Sequence, residues 1–258
     1  LTGDFFESNN VTNNQDYGIR TEEGESFTLN NISDNGSAGV YSGLGNSFVD
    51  NIINNNGNYG LNTVTGNIFE NNTISYNSGY GINTDAGDVF ANNSIIENTS
   101  YGINTDSGNT FTSNTVSGNG SYGINTDAGD TFTSNIIENN ESFGIDTNTG
   151  NSFTSNTVSN NGSWGINTDA GDVFELNVIE NNEGFGIDTN TGNTFTENIV
   201  SGNSSFGINT DTGLSFESNT VDGNGNYGIN TDTGDSFINN TITNNSDYGL
   251  NISPGDSL

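Results

Sequence analysis

The chain has 258 residues, of which 32 are Asp or Glu and one, Arg20, is basic, giving a formal charge of −31. That balance excludes nucleic acid and anionic membrane surfaces as partners, because both are held by basic patches. The lack of Cys and His excludes disulfides, thiolate chemistry and nucleophile arrangements of the Ser/His/Asp or Cys/His kind.

Composition alone reads as disorder, with 28% hydrophobic residues and 36 glycines. Periodicity overrules it. Phe6, Phe27, Phe48, Phe69, Phe90, Phe111, Phe132, Phe153, Phe174, Phe195, Phe216 and Phe237 stand 21 residues apart, without one insertion or deletion. A solvated random tract has no reason to keep such columns.

In chain order, each repeat opens on that Phe. Three residues later comes an Asn, from Asn9 and Asn30 through Asn72 and Asn93 to Asn240. Two further stands Val or Ile, from Val11 to Ile242, and three beyond it a second invariant Asn, from Asn14 to Asn245. An aromatic, a Gly and an aliphatic follow, as in Tyr80-Gly81-Ile82 or Trp164-Gly165-Ile166, with Ala38 the one lapse in the aromatic column. A further invariant Gly, such as Gly87, closes the repeat. Tyr80, Ile82 and Thr84 alternate with Gly81, Asn83 and Asp85, which is strand patterning. Asn, Gly and Thr are poor helix formers. Leucine-rich repeats have a similar period, but no Leu column and no helical segment occur here.

The pattern Asn72-x-Ile74-x-x-Asn77…Tyr80-Gly81-Ile82 resembles that of right-handed parallel β-helix repeat proteins of the pectate-lyase-like superfold, over essentially the whole chain. The resemblance implies an all-β, right-handed parallel β-helix (solenoid) of about twelve 21-residue coils with no inserted loops. Right-handedness also follows from the rule for parallel crossovers. Residues 1–258 are expected to form a single solenoid domain, part of a longer chain or filament. Phe, Val/Ile, the aromatic and the second aliphatic are expected to point inward, and the Asn columns to form amide ladders. A one-residue slip would turn every ladder inside out, which explains the unbroken period.

Carboxylates gather on one turn. The phrases "NTDAGD" and "NTDTGD" hold Asp85 and Asp88, Asp127 and Asp130, Asp169 and Asp172, and Asp232 and Asp235. Hard oxygen ligands on a glycine-containing turn suit calcium, and these eight are the candidate metal ligands, although neither an EF-hand loop nor a calcium-binding nonapeptide is present. The alternative is a solvated acidic edge. Down the coils one column reads Asp88, Asn109, Asp130, Asn151, Asp172, Asn193; alternation keeps like charges two coils apart.

No catalytic residue and no other cofactor is expected. Polysaccharide lyases of the resembled fold would call for a basic catalytic residue, and the sequence offers Arg20 alone, with no inserted loop to build a cleft. The expected function is therefore non-enzymatic: a rigid acidic rod serving as an extracellular or cell-surface adhesin stalk, sheath or filament subunit. Its partners would be copies or adjoining domains stacked end to end, with divalent cations along the rod. The competing reading is a glycan-binding module, which exposed aromatics would favour; the aromatic columns read as inward, with Phe5 and Tyr76 as exceptions. A polysaccharide-degrading enzyme ranks behind both.

Overall fold

The computed structural model describes residues 3–257, and Leu258, which the repeat places in the Phe column, lies outside the described residues. The described residues form 36 strands of two or three residues each and no helix. Every coil gives one strand to each of three parallel sheets. The architecture is the all-β parallel solenoid expected, with coils of 21 residues. The chain divides into two compact units, Leu1–Asp130 and Thr131–Leu258, each containing six coils.

Register is fixed by the period. In the first unit Phe69 pairs with Phe90, Ile74 with Ile95 and Ile82 with Ile103; in the second Phe153 pairs with Phe174, Val158 with Ile179 and Ile166 with Ile187. All of these side chains are fully buried. The Phe rings stack nearly parallel, with centroids 4.7 Å apart for Phe90 and Phe111 and 4.8 Å for Phe174 and Phe195. Each coil can bury only a few apolar groups, so the bends between strands must be held by something else.

They are held by asparagine. Between the first and second sheets the chain turns through one left-handed residue, such as Asn71 at φ 56°, and leaves the second sheet through another, such as Tyr76 at φ 56°. Non-glycine residues rarely adopt this conformation. The residue after each is one of the two invariant Asn, buried in every coil but the first and the last. Asn72 donates from its backbone N–H and its Nδ2 to Oδ1 of Asn93, both at 3.0 Å, and from Nδ2 to the Phe48 carbonyl at 2.8 Å. Asn77 does the same with Asn98, at 3.1 and 2.9 Å. Each amide thus ties the coil on either side of it.

A third ladder, unforeseen in the sequence, runs past the turn that follows the third sheet. In the first unit its buried members are Glu25, Asn46, Asn67, Asp88, Asn109 and Asp130. Asp88 Oδ1 accepts from the backbone N–H and Nδ2 of Asn67, at 2.5 and 3.1 Å, while Oδ2 accepts from the Thr84 hydroxyl at 2.7 Å. Asp172 is held likewise by Asn151 and Thr168 in the second unit. An ionised Asp accepts and cannot donate onward as Asn does. Two neighbouring buried carboxylates would leave a charge facing its like, which gives the Asp/Asn alternation from Asn67 to Asn193 a structural reason; Asp235 and Asp256 at the end of the column depart from it.

Glycine is obligatory at two points of the repeat. A Cβ on Gly81 would lie 2.6 Å from the Gly102 carbonyl oxygen and 2.6 Å from Ile95 Cγ2 of the next coil, and Gly87 turns at φ 74°.

Two predictions follow from the ladders. Replacing Asn93 by Ala strands the two Asn72 donors and the Phe69 carbonyl, each worth about 1–3 kcal/mol when buried without a partner. Urea denaturation should show Asn93→Ala destabilised by about 3 kcal/mol or more, while Ser78→Ala at the exposed surface changes stability by less than about 0.5 kcal/mol. The second concerns pH. Burial, against the opposing hydrogen bonds, lifts the Asp88 and Asp172 carboxyls from 3.8 to about 6. A carboxyl whose pKa is raised by folding stabilises fully below its unfolded value, and that contribution is lost as pH rises through the folded one. Asp88→Asn should therefore raise the unfolding free energy at pH 7.5 by roughly 2–3 kcal/mol and leave it nearly unchanged at pH 3.5. An equal gain at both pH values would refute this account.

Candidate functional site

The strongest departure from the repeat lies in the first unit, on the solvent side of the third sheet. Three files run along it, coil by coil. The aromatic file reads Tyr17, Ala38, Tyr59, Tyr80, Tyr101, Tyr122. The file on the sheet itself reads Arg20, Tyr41, Asn62, Asn83, Asn104, Asn125, in register through the strand pairs. On the following turn stand Glu22, Gly43, Val64, Asp85, Asp106 and Asp127, linked by backbone hydrogen bonds from each to the one before.

The aromatic file corrects an expectation. Its rings are half-exposed rather than enclosed. Period-two alternation holds only within a strand, and the third-sheet strand begins at Ile82. Tyr80 precedes it, and Gly81 is the residue pressed against the next coil. The rings stack face to face, Tyr80 on Tyr101 at 4.8 Å and Tyr101 on Tyr122 at 4.9 Å, each pair 3° from parallel. Their faces are taken by one another, so solvent meets the ring edges. Burial, then the neighbouring Tyr101 and Tyr59, hold the Tyr80 phenol above its ordinary value, and it is neutral at physiological pH. In the second unit the file reads Phe143, Trp164, Phe185, Phe206 and Tyr227, half-exposed and stacked at 4.9–5.0 Å, and ends on the exposed Tyr248, tilted against Tyr227 at 5.3 Å.

Beside the phenols the amides form an outer ladder. Asn83 Nδ2 donates to Asn62 Oδ1 at 3.0 Å, Asn104 to Asn83 at 2.9 Å and Asn125 to Asn104 at 2.8 Å. An amide has two N–H donors and two lone pairs, so each keeps capacity for a ligand.

In the first two coils all three files break together. Ala38, fully buried, supplies no ring. Tyr41, where later coils have Asn, packs instead against Tyr17, with centroids 5.4 Å apart and planes tilted by 50°. The Arg20 guanidinium lies 5.9 Å from the Tyr17 ring centre and 5.6 Å from that of Tyr41, so the chain's single cation is held by two phenol rings. Around it opens a groove of about 640 Å³ lined by Arg20, Thr21, Glu22, Glu23, Tyr41, Ser42, Gly43, Leu44 and Val64. The sequence singles out Arg20 and Ala38 separately. The signal it also carried is that Arg20, Ala38 and Tyr41 interrupt two columns within two adjacent coils.

The eight Asp considered as calcium ligands fall into two sets. Asp88, Asp130, Asp172 and Asp235 are buried in the third ladder, where Asp88, Asp172 and Asp235 accept hydrogen bonds from backbone N–H groups and from Thr84, Thr168 and Thr231. Asp85, Asp127, Asp169 and Asp232 are exposed on the outer turn. The members of each pair thus face opposite sides of the chain. Among the described residues no three His, Cys, Asp or Glu side chains converge as a metal-holding group. Nor, among those residues, is any helix long and apolar enough to cross a membrane.

Several solved structures share the fold. A mutant of the periplasmic alginate epimerase AlgG matches at a TM-score of 0.61 and 13% identity, over 98% of this chain and 74% of its own. The A-module of the Azotobacter vinelandii mannuronan C-5 epimerase AlgE6 matches at 0.56 and 14%, over 91% and 75%. The catalytic domain of a GH87 α-1,3-glucanase, in complex with tetrasaccharides, matches at 0.59 and 13%, over 100% and 65%. No curated protein matches the chain in sequence.

At such identities the likeness establishes the fold. It also corrects the expected non-catalytic structural rod. The proteins that share this coil architecture here are polysaccharide-modifying enzymes. The absence of inserted loops, taken from sequence as the absence of a cleft, does not prevent one: the lapse at Ala38 and the Arg20–Tyr41 substitutions open a groove without any insertion. Residues 62–161 and 103–247 match the family profile described as right handed beta helix region, and this chain belongs to that family.

Proposed function

We propose that the chain is a polysaccharide-modifying protein working outside the cytoplasm, as the periplasmic epimerase of like fold does. The glycan lies along the third-sheet face of the first unit and reacts in the Arg20 groove. The observation that carries this reading is the groove itself, lined by one guanidinium, the Tyr41 phenol and two carboxylates, with the Tyr17 ring behind the guanidinium, on a chain otherwise repetitive.

Each component has a chemical use. A guanidinium presents a planar fork of donors that matches a sugar carboxylate. Pairing with Arg20 would lower the cost of removing the hydrogen alpha to that carboxylate, because negative charge then develops on the carboxylate oxygens. Tyr41, Glu22 and Glu23 line the same groove and are the groups able to accept or return a proton. Proton removal and return on opposite faces is epimerisation; loss of the neighbouring glycosidic oxygen after removal is elimination. Both require the same seat. The stacked phenols and the amide ladder supply ring edges and hydrogen-bonding groups for the sugars on either side.

The test is a polysaccharide panel incubated with the purified chain, followed by NMR for inverted C-5 centres and by ultraviolet absorbance for unsaturated ends. Arg20→Gln should lower the rate by about 10²–10³-fold, the range for losing one transition-state charge stabiliser, with an unchanged denaturation midpoint. A wild-type rate in Arg20→Gln, or no change in any glycan, would overturn the proposal.

A further inference from the structure

We infer that the substrate is a largely neutral glycan containing isolated acidic sugars, and not a polyuronate in which every residue is acidic. This deepens the polysaccharide reading above and rests on it. It departs from the alginate-directed proteins of like fold, and the reason is the charge laid out along the face.

The chain has one cation to offer a sugar carboxylate, Arg20. The next two coils of the face are uncharged, with Tyr41, Gly43 and Leu44, then Asn62, Val64 and Thr65. Beyond them the turn file carries Asp85, Asp106 and Asp127 on three successive coils, all exposed. These carboxylates already oppose one another: burial, then Asp85 and Asp127, hold the Asp106 carboxyl above its ordinary value. Glu22 and Glu23 add two negative charges at the groove. Arg20 is thus the single group able to pair with a sugar carboxylate, and it is flanked by two carboxylates, so the groove accommodates at most one acidic sugar. A polyuronate running along the face would set further carboxylates against Asp85, Asp106 and Asp127 with no cation between them.

The same residues suit neutral sugars. Sugar hydroxyls both donate and accept. Exposed carboxylates are acceptors only, and the ladder amides Asn62, Asn83, Asn104 and Asn125 both donate and accept. Hydroxyl-rich, uncharged units satisfy both files, whereas a carboxylate cannot donate to an Asp. The net charge of −31 over the whole chain acts in the same direction at long range.

Isothermal titration of the full chain distinguishes the cases. Three probes are used: a neutral glucan, polymannuronate, and a glucuronoxylan whose neutral backbone carries scattered uronates. Each is measured with chelator at 20 and 300 mM NaCl. The glucuronoxylan should bind at least tenfold more tightly than polymannuronate in low salt, and the gap should narrow in high salt as repulsion is screened. Asp106→Asn combined with Asp85→Asn should raise the ratio of polymannuronate to neutral-glucan affinity several-fold. Arg20→Gln should bring the glucuronoxylan down to the neutral glucan's level. Polymannuronate binding as tightly as glucuronoxylan at 20 mM NaCl would overturn this inference while leaving the polysaccharide reading intact. So would a neutral glucan equal to glucuronoxylan in the wild type. Failure of all three probes to bind would overturn both.

Discussion

The structure depends on a side-chain amide donating to its own kind one coil away. Three sharp bends per coil each leave backbone groups turned into an interior that water does not reach. Hydrophobic burial cannot pay for those groups, since it is indifferent to hydrogen bonding. Asn meets the need because it presents donor and acceptor together on a side chain short enough to stay inside the bend. Asn72, taking the Phe48 carbonyl with one proton and Asn93 Oδ1 with the other, satisfies two coils at once. Such a residue is satisfied only when its neighbour 21 positions away is equally placed. The strict period is the sequence-level trace of that mutual requirement.

Substituting Asp for Asn in the third ladder is where this requirement meets charge. Asp88 keeps every acceptor role of Asn and gains the Thr84 hydroxyl, but loses the ability to donate upward. With Asn at 67 and 109 on either side, its charge meets amides and not another carboxylate. Duplication of a two-coil unit would produce the same alternation, and the burial of these side chains shows why the alternation is also the arrangement a folded coil tolerates. The outer carboxylates Asp85, Asp106 and Asp127 face solvent and escape this constraint, so they follow one another on successive coils.

The residues that were legible from sequence are those set by the stack. Phe69, Ile74, Ile82 and both Asn columns lie where the period and the alternation place them. Sequence and structure part where a local rule runs past its range. The alternation of Ile82 and Asn83, extended into the turn, places Tyr80 inward, but the chain no longer alternates there; the close approach of Gly81 to Gly102 turns the ring outward instead. The third ladder was hidden because its column mixes Asn, Asp and Glu25, and reads as a charge pattern. The groove was hidden because a lapse in a repeat looks like noise when each column is read alone.

That last point bears on how function arises in a molecule of this kind. A repeat that satisfies every coil identically has no privileged place, since each surface group recurs on the coil above and below. A site needs asymmetry, and without insertions the sole source of it is substitution at the outward columns, where the stack does not dictate identity. Arg20 and Tyr41 occupy such positions. Ala38 occupies the aromatic column, whose rings pack on each other and not in the core, so losing one ring costs the stack little and frees space beside Tyr17. Tyr41 leans into that space and meets Tyr17 at 5.4 Å, and the guanidinium of Arg20 settles over both rings. The second of these irregular coils is still regular inside, with Phe27, Ile32 and Val40 fully buried. Substitution is thus free at positions the hydrogen-bond ladders leave unassigned.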